Sequence, residues 1–232
     1  MGILSDYLAA ISAFVALGGP VVAILLGVSV VALAVILAKA VQFWRAHVGW
    51  RKRAERAVWL WQHGRPREAF DHAAAGRSSA SRAVALSIRL GMGGRMARAD
   101  VEERVARQVA QDLHDLQSGF RLLDAVVQLS PLLGLFGTVL GMIEAFRQLQ
   151  GAGNAVDPSI LAGGIWVALL TTAAGLAVAM PVSVALTWLE SRVDDERIAI
   201  ETLTADILAA PPGGATGSMR EAAIGEGAVL AH

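Results

Sequence analysis

The sequence predicts an all-α, polytopic membrane protein with three transmembrane helices, the second and third extended into the cytoplasm. Three observations carry this reading. No ionisable side chain interrupts the run from Leu8 to Ala38, and about 20 residues rising 1.5 Å each already cross a bilayer core. Two further apolar stretches, Leu122 to Leu149 and Ile160 to Leu189, are short on charge and rich in small residues. The chain of 232 residues is 55% hydrophobic, and its mean hydropathy is positive.

Residues 1–20 are expected to form an exported amino-terminal segment and residues 21–43 the first span, whose Val, Ile and Leu suit lipid. That span lacks the basic start of a signal peptide. It is followed by a stop-transfer cluster of Arg45, Arg51, Lys52, Arg53 and Arg56 with no clear small-residue cleavage site, so it is expected to be retained. Trp44 and Trp50 beside the cluster suit an interfacial belt, whereas Trp59 and Trp61 are expected to pack within the next domain.

Residues 44–121 read as a helical domain. Helical composition over residues 54–63, 67–75 and 78–90 is broken at Gly64 and Pro66, at Gly76, and at Gly91, Gly93 and Gly94. From Asp100, the residues Val101, Val105, Val109, Leu113, Leu116 and Phe120 recur in steps of three and four. This helix is expected to run unbroken into the second span, with Asp100 and Glu103 as cap and first-turn acid. The second span is placed at residues 122–149, an exported loop at 150–159 and the third span at 160–189. Residues 190–210 continue inward through Ile198, Leu203 and Ile207, and the run PPGGATGS opens a tail, 211–232, expected to be disordered.

Orientation follows from basic residues. Fifteen Lys and Arg lie between Phe43 and Leu123, while Met1 to Pro20 and Leu149 to Ser159 hold none. By the positive-inside rule the middle segment and the carboxyl tail are cytoplasmic and the amino terminus is exported.

Several functions are excluded or disfavoured. The absence of Cys removes disulfides, thiolate metal sites and thiol catalysis. Zero net charge offers nucleic acid no electrostatic hold. The histidines, at 47, 63, 72, 114 and 232, lie outside the spans and show no metal-ligand spacing. No span pairs Ser with His or Asp with Asp, so neither catalysis nor a cofactor or metal is expected. Arg-rich segments 51–56 and 95–107 suit anionic lipid or a partner, although a solvated helix face explains them more simply.

What the spans do carry is small and hydroxylated side chains at mid-membrane: Gly134, Gly137, Thr138 and Gly141, then Ala168, Thr171, Thr172 and Gly175. Lipid-facing helices gain nothing from these, so they point to close packing or a polar line. Thr138 with Gly134, Gly141 and Ala145 makes one helical stripe, and Thr172 with Ala168, Gly175 and Ala179 another. A proton path needs groups that both donate and accept, which Thr supplies without permanent charge. The simpler alternative is that each Thr bonds the carbonyl one turn back and the small residues only permit packing. Pro131 and Pro181 are expected to bend their helices.

LSPLLGLFGTVLGMIEAF at 129–146 and GGIWVALLTTAAGLAVAMPV at 163–182 resemble the ExbB/TolQ/MotA family of proton-channel stator proteins, with ExbB the nearest in pattern. The resemblance runs from about Gly18 to Leu208. It implies a multi-pass protein of the bacterial inner membrane and a homo-oligomer, usually a pentamer. It further implies an ExbD-like single-span partner with a membrane Asp, and coupling of inward proton flow to a TonB-like protein. It favours pore lining for Thr138 and Thr172 and leaves Thr171 to packing. A TolQ- or MotA-like stator, or a non-conducting scaffold, remains open.

One departure matters: family members commonly carry a Glu ahead of the Thr pair, where this chain has Val167 beside Trp166. Another carboxylate, Glu144, lies six residues after Thr138, which sets the two about 120° apart around the helix. It is expected either to assist at the outer mouth or to snorkel and pair with Arg147. Asp124 is expected to pair with Arg121.

Overall fold

The computed structural model describes residues 2–93, 97–151 and 158–209. Among them the chain forms α1 (Gly2–Arg45), α2 (Lys52–Gln62), α3 (Pro66–Ala74), α4 (Ser79–Gly93), α5 (Arg98–Gln117), α6 (Phe120–Gly151) and α7 (Pro158–Ala209), with no strand. Three stretches are long and apolar enough to cross a membrane: Gly19–Arg45, Phe120–Gly151 and Leu161–Ala209. The all-α fold with three spans stands.

Several element boundaries differ from expectation. The amino-terminal stretch is helical from Gly2, and the backbone breaks at Gly19, with φ 65° and ψ −162°. Pro20 follows, and a residue ahead of proline is pushed from the helical region into one that glycine adopts at no steric cost. Pro131 and Pro181 lie inside helices that continue past them.

The helix expected to run unbroken into the second span is cut. α5 ends at Gln117 and α6 begins at Phe120. Gly119 between them takes φ +84°, so the apolar spacing persisted across a turn that periodicity cannot register. α5 also starts two residues before Asp100: its N-cap, Ala97, makes no side-chain bond, and Asp100 sits in the first turn. α4 continues through Gly91 to Gly93. The third span and its extension are one 52-residue helix, roughly 78 Å long at 1.5 Å per residue. The expected tail 211–232 and most of the loop 150–159 lie outside the described residues.

Two compact units result: Met1–Lys39 with Gly119–Trp188, and Ala40–Ser118 with Leu189–His232. In the first, α1 buries Val22, Leu25 and Ala32 and exposes Val30, Leu33 and Leu37. Lys39 is buried, with its ammonium 5.8 Å from the Phe120 ring centroid. A Cβ at Gly119 would lie 3.4 Å from the Lys39 stem.

In the second unit, α2 to α5 and the end of α7 bury Trp61, Val84, Ile88, Leu116, Val193 and Ile200. Trp61 packs inside as expected. Trp59 does not: it is exposed, stacked on His63 at 4.0 Å with the Arg56 guanidinium 4.2 Å from its ring.

Candidate functional site

The small residues of α6 and α7 face each other. A Cβ on Gly134 would fall 2.9 Å from the Thr171 carbonyl oxygen and 3.0 Å from Thr172 Cα. On Gly137 it would meet the Thr171 side chain at 2.5 Å, and on Gly141 the Ala168 side chain at 3.1 Å. On Gly175 it would lie 2.5 Å from the Ser130 carbonyl oxygen and 3.1 Å from Gly134 Cα. Backbones approach this closely only where side chains vanish, and in lipid such contact replaces the hydrophobic drive that holds soluble helices together.

The stripe expected from Thr138, Gly134, Gly141 and Ala145 therefore divides. Gly134 and Ala145 are buried and Gly141 abuts Ala168, all against α7, whereas Thr138 lies off that contact with its hydroxyl donating to Leu135 O at 2.7 Å. The α7 stripe divides similarly, with Ala168, Gly175 and Ala179 buried beside Thr171 rather than Thr172.

Three hydroxyls thus sit in three environments. Thr171, 2% exposed, donates to Ala168 O at 2.7 Å on its own helix and faces Gly134 O at 3.2 Å on α6. Ser130, fully buried, donates to Val126 O at 2.7 Å. The Thr172 hydroxyl oxygen is buried and has no hydrogen-bond partner among the described residues. Burying an unpaired hydroxyl costs about 1–3 kcal/mol, so this oxygen calls for a partner from water or another chain.

Glu144 is exposed, accepts from Gln148 Nε2 at 3.2 Å and lies 4.0 Å from Arg147 Nη1. The expected Arg121–Asp124 pair is replaced by an Asp124 bond from Gln128 Nε2 at 2.8 Å, one turn on along the same helix. Among the described residues no His, Cys, Asp or Glu cluster suits a metal ion.

Sequence reasoning missed Glu196. It is fully buried in the second unit, accepting from Gly49 N at 3.0 Å and Ala80 N at 3.4 Å, with Arg51 Nε 3.8 Å away. Ala80 lies in the first turn of α4, where unsatisfied N–H groups and the helix dipole favour an anion. The signal was present in the sequence, since Glu196 occupies the apolar row Leu189, Val193, Ile200 and Ile207.

Three apolar helices, two of them joined through glycine and a buried Thr, define an integral membrane protein whose packed pair carries polar groups at membrane depth. The family to which it belongs is the MotA/TolQ/ExbB proton channel family, whose model matches residues 79–202. The chain is 44% identical over 80 residues to biopolymer transport protein exbB1 of Vibrio cholerae, covering 34% of this chain and 35% of that one. It is 37% identical over 106 residues to a putative biopolymer transport protein ExbB homolog of Methanothermobacter thermautotrophicus, covering 46% and 37%. With the Tol-Pal system protein TolQ of Haemophilus influenzae it shares 39% over 84 residues, 36% of each chain. These matches span little more than a third of the relatives' lengths.

Proposed function

We propose that this chain is the ExbB-like subunit of an inner-membrane energy-transducing complex that couples proton motive force to TonB-dependent outer-membrane transport. In this reading it assembles as a homo-oligomer, with a pentamer expected, around an ExbD-like single-span protein whose membrane Asp carries the proton. The observation that carries the reading is the buried, unpaired Thr172 hydroxyl on a helix pair otherwise closed by glycine packing. A hydroxyl that can donate and accept beside a carboxyl of a second chain shortens a proton's path without adding fixed charge. Thr138 supplies a second hydroxyl. Its bond to Leu135 O uses the donor and leaves an acceptor lone pair.

Glu144 assists at the mouth, exposed and next to Arg147 rather than central. The large middle segment lies in the cytoplasm and the amino terminus in the periplasm, as the basic residues argue. A specific observation favours a second reading, that of a non-conducting scaffold: Val167 stands where the pattern has an acid.

The test is proton flux in vesicles holding this chain together with a single-span partner bearing a membrane Asp. Uptake reported by an internal pH dye is expected with the pair and to fall at least tenfold for Thr172→Val. Equal flux from the pair and from empty vesicles sinks conduction in favour of the scaffold.

A further inference from the structure

Starting two residues beyond Arg45, where α1 ends, the second unit holds a cavity of about 600 Å³ lined by residues 47, 49–53, 75–78 and 81. Arg51, Lys52, Arg53 and Arg77 all contribute to its wall, and no carboxylate does. Arg53 is braced on the Ala75 carbonyl, and Arg51 on the Asp195 carbonyl and towards Glu196. Lys52 and Arg77, both exposed, take no ion pair among the described residues. The wall is also held in shape. Glu196 fixes the Gly49 N–H on one side and the Ala80 N–H on the other, so the carboxylate is spent on backbone behind the cavity. Ser78 and Ser81 hydroxyls, 3.0 Å apart, close the floor beside Gly76, where a side chain would collide with Ser81.

From this we infer that the cavity is a binding site for a phosphoryl anion, filled by the headgroup of an anionic phospholipid in the leaflet that meets the carboxyl end of the first span. Four cations set against one carboxylate behind the wall, Glu196, leave a positive balance that matches a phosphate's charge, with guanidinium groups suited to its oxygens. Chain position selects the lipid. Trp44 just ahead of the lining residues and Trp50 among them, 81% and 70% exposed, stand in sequence where interfacial anchors do. Basic residues just past a span attract anionic lipid roughly fivefold each. Zero net charge over the whole chain argues against nucleic acid as the source of phosphate.

Native mass spectrometry of the full-length protein, titrated with phosphatidylglycerol or phosphatidylcholine, tests the site. Lys52→Gln with Arg77→Gln is expected to lower phosphatidylglycerol retention about 25-fold, with phosphatidylcholine unaffected. Lys52→Arg should bind as the parent does. Arg98→Gln with Arg107→Gln, basic residues outside the cavity, should change nothing. Equal loss from both double variants, or none from Lys52→Gln with Arg77→Gln, overturns the inference. Inorganic phosphate is the second arm. Failure of millimolar phosphate to displace the lipid supports the headgroup, whereas displacement that depends on Lys52 and Arg77 overturns the lipid as the occupant.

Discussion

The Thr171 hydroxyl lies 2.7 Å from the Ala168 carbonyl oxygen behind it and 3.2 Å from the Gly134 carbonyl oxygen on the facing helix. One side chain thus serves both its own helix and its neighbour, at the place where Gly134, Gly137 and Gly175 bring the backbones together. Thr172, one residue on, has its oxygen buried without a partner among the described residues. The two threonines therefore differ in kind, and substitution separates them. Thr171→Val removes a shared bond and is expected to weaken the fold by about 1 kcal/mol. Thr172→Val discards an unsatisfied hydroxyl at nearly constant size and is expected to leave thermal stability unchanged or higher. Thermal unfolding in detergent checks both, and the reverse order would refute this assignment.

Glycines of the spans are expected to respond according to what a Cβ meets. Gly175→Ala drives a methyl to 2.5 Å from the Ser130 carbonyl oxygen, whereas nothing lies within 4 Å of a Cβ at Gly27. Forcing the helices apart costs about 1–3 kcal/mol, and Gly27→Ala gains helix propensity instead. A lower thermal midpoint in detergent for Gly175→Ala, with Gly27→Ala at or above the parent, is the expected pair of results.

Glu196 makes the second unit sensitive to one carboxylate. Glu196→Leu strands the Gly49 and Ala80 N–H groups and leaves Arg51, a third exposed, with the Asp195 carbonyl but no carboxylate. Partial solvation of Arg51 moderates the loss, which is expected at about 2–4 kcal/mol. Glu196→Gln keeps an acceptor and should lose less than half of that. Differential scanning calorimetry measures the difference.

Glu144→Gln is expected to be mild. The carboxylate is exposed, held by Gln148 and 4.0 Å from Arg147, and exposed pairs contribute at most about 1 kcal/mol. Proton flux should fall less than twofold, against the large drop for Thr172→Val. A dead Glu144→Gln beside an active Thr172→Val would move the relay to Glu144.

Topology has its own readout. Reporters active on one side of the membrane, fused at Ala75 and at Asn154, should give opposite signals. Identical signals would sink the three-span arrangement.

The spans were legible because membrane crossing depends on length and apolarity, both one-dimensional properties: Leu8 to Ala38 needed no partner to be read. Glycine and threonine in 129–146 and 163–182 likewise announced a close, polar helix pair. Their division of labour did not follow, because 134, 137, 138 and 141 span a wide arc of one helix and only the facing helix selects which part is buried. Back-to-back placement on α7 gave Thr171 the interhelical bond and left Thr172 unpaired. The turn at Gly119 escaped notice for a related reason, since apolar spacing on either side stayed in step while a single positive φ cut the helix. Glu196 was visible as a charge on an apolar row, yet its partners, Gly49 and Ala80, lie 147 and 116 residues away. By itself the sequence determined that three segments are long and apolar enough to cross a membrane, since that property rests on each segment's own length and composition. Which hydroxyl is paired, which carboxylate is buried and where cations converge were decided only by tertiary structure, because each depends on groups that folding brings from distant parts of the chain.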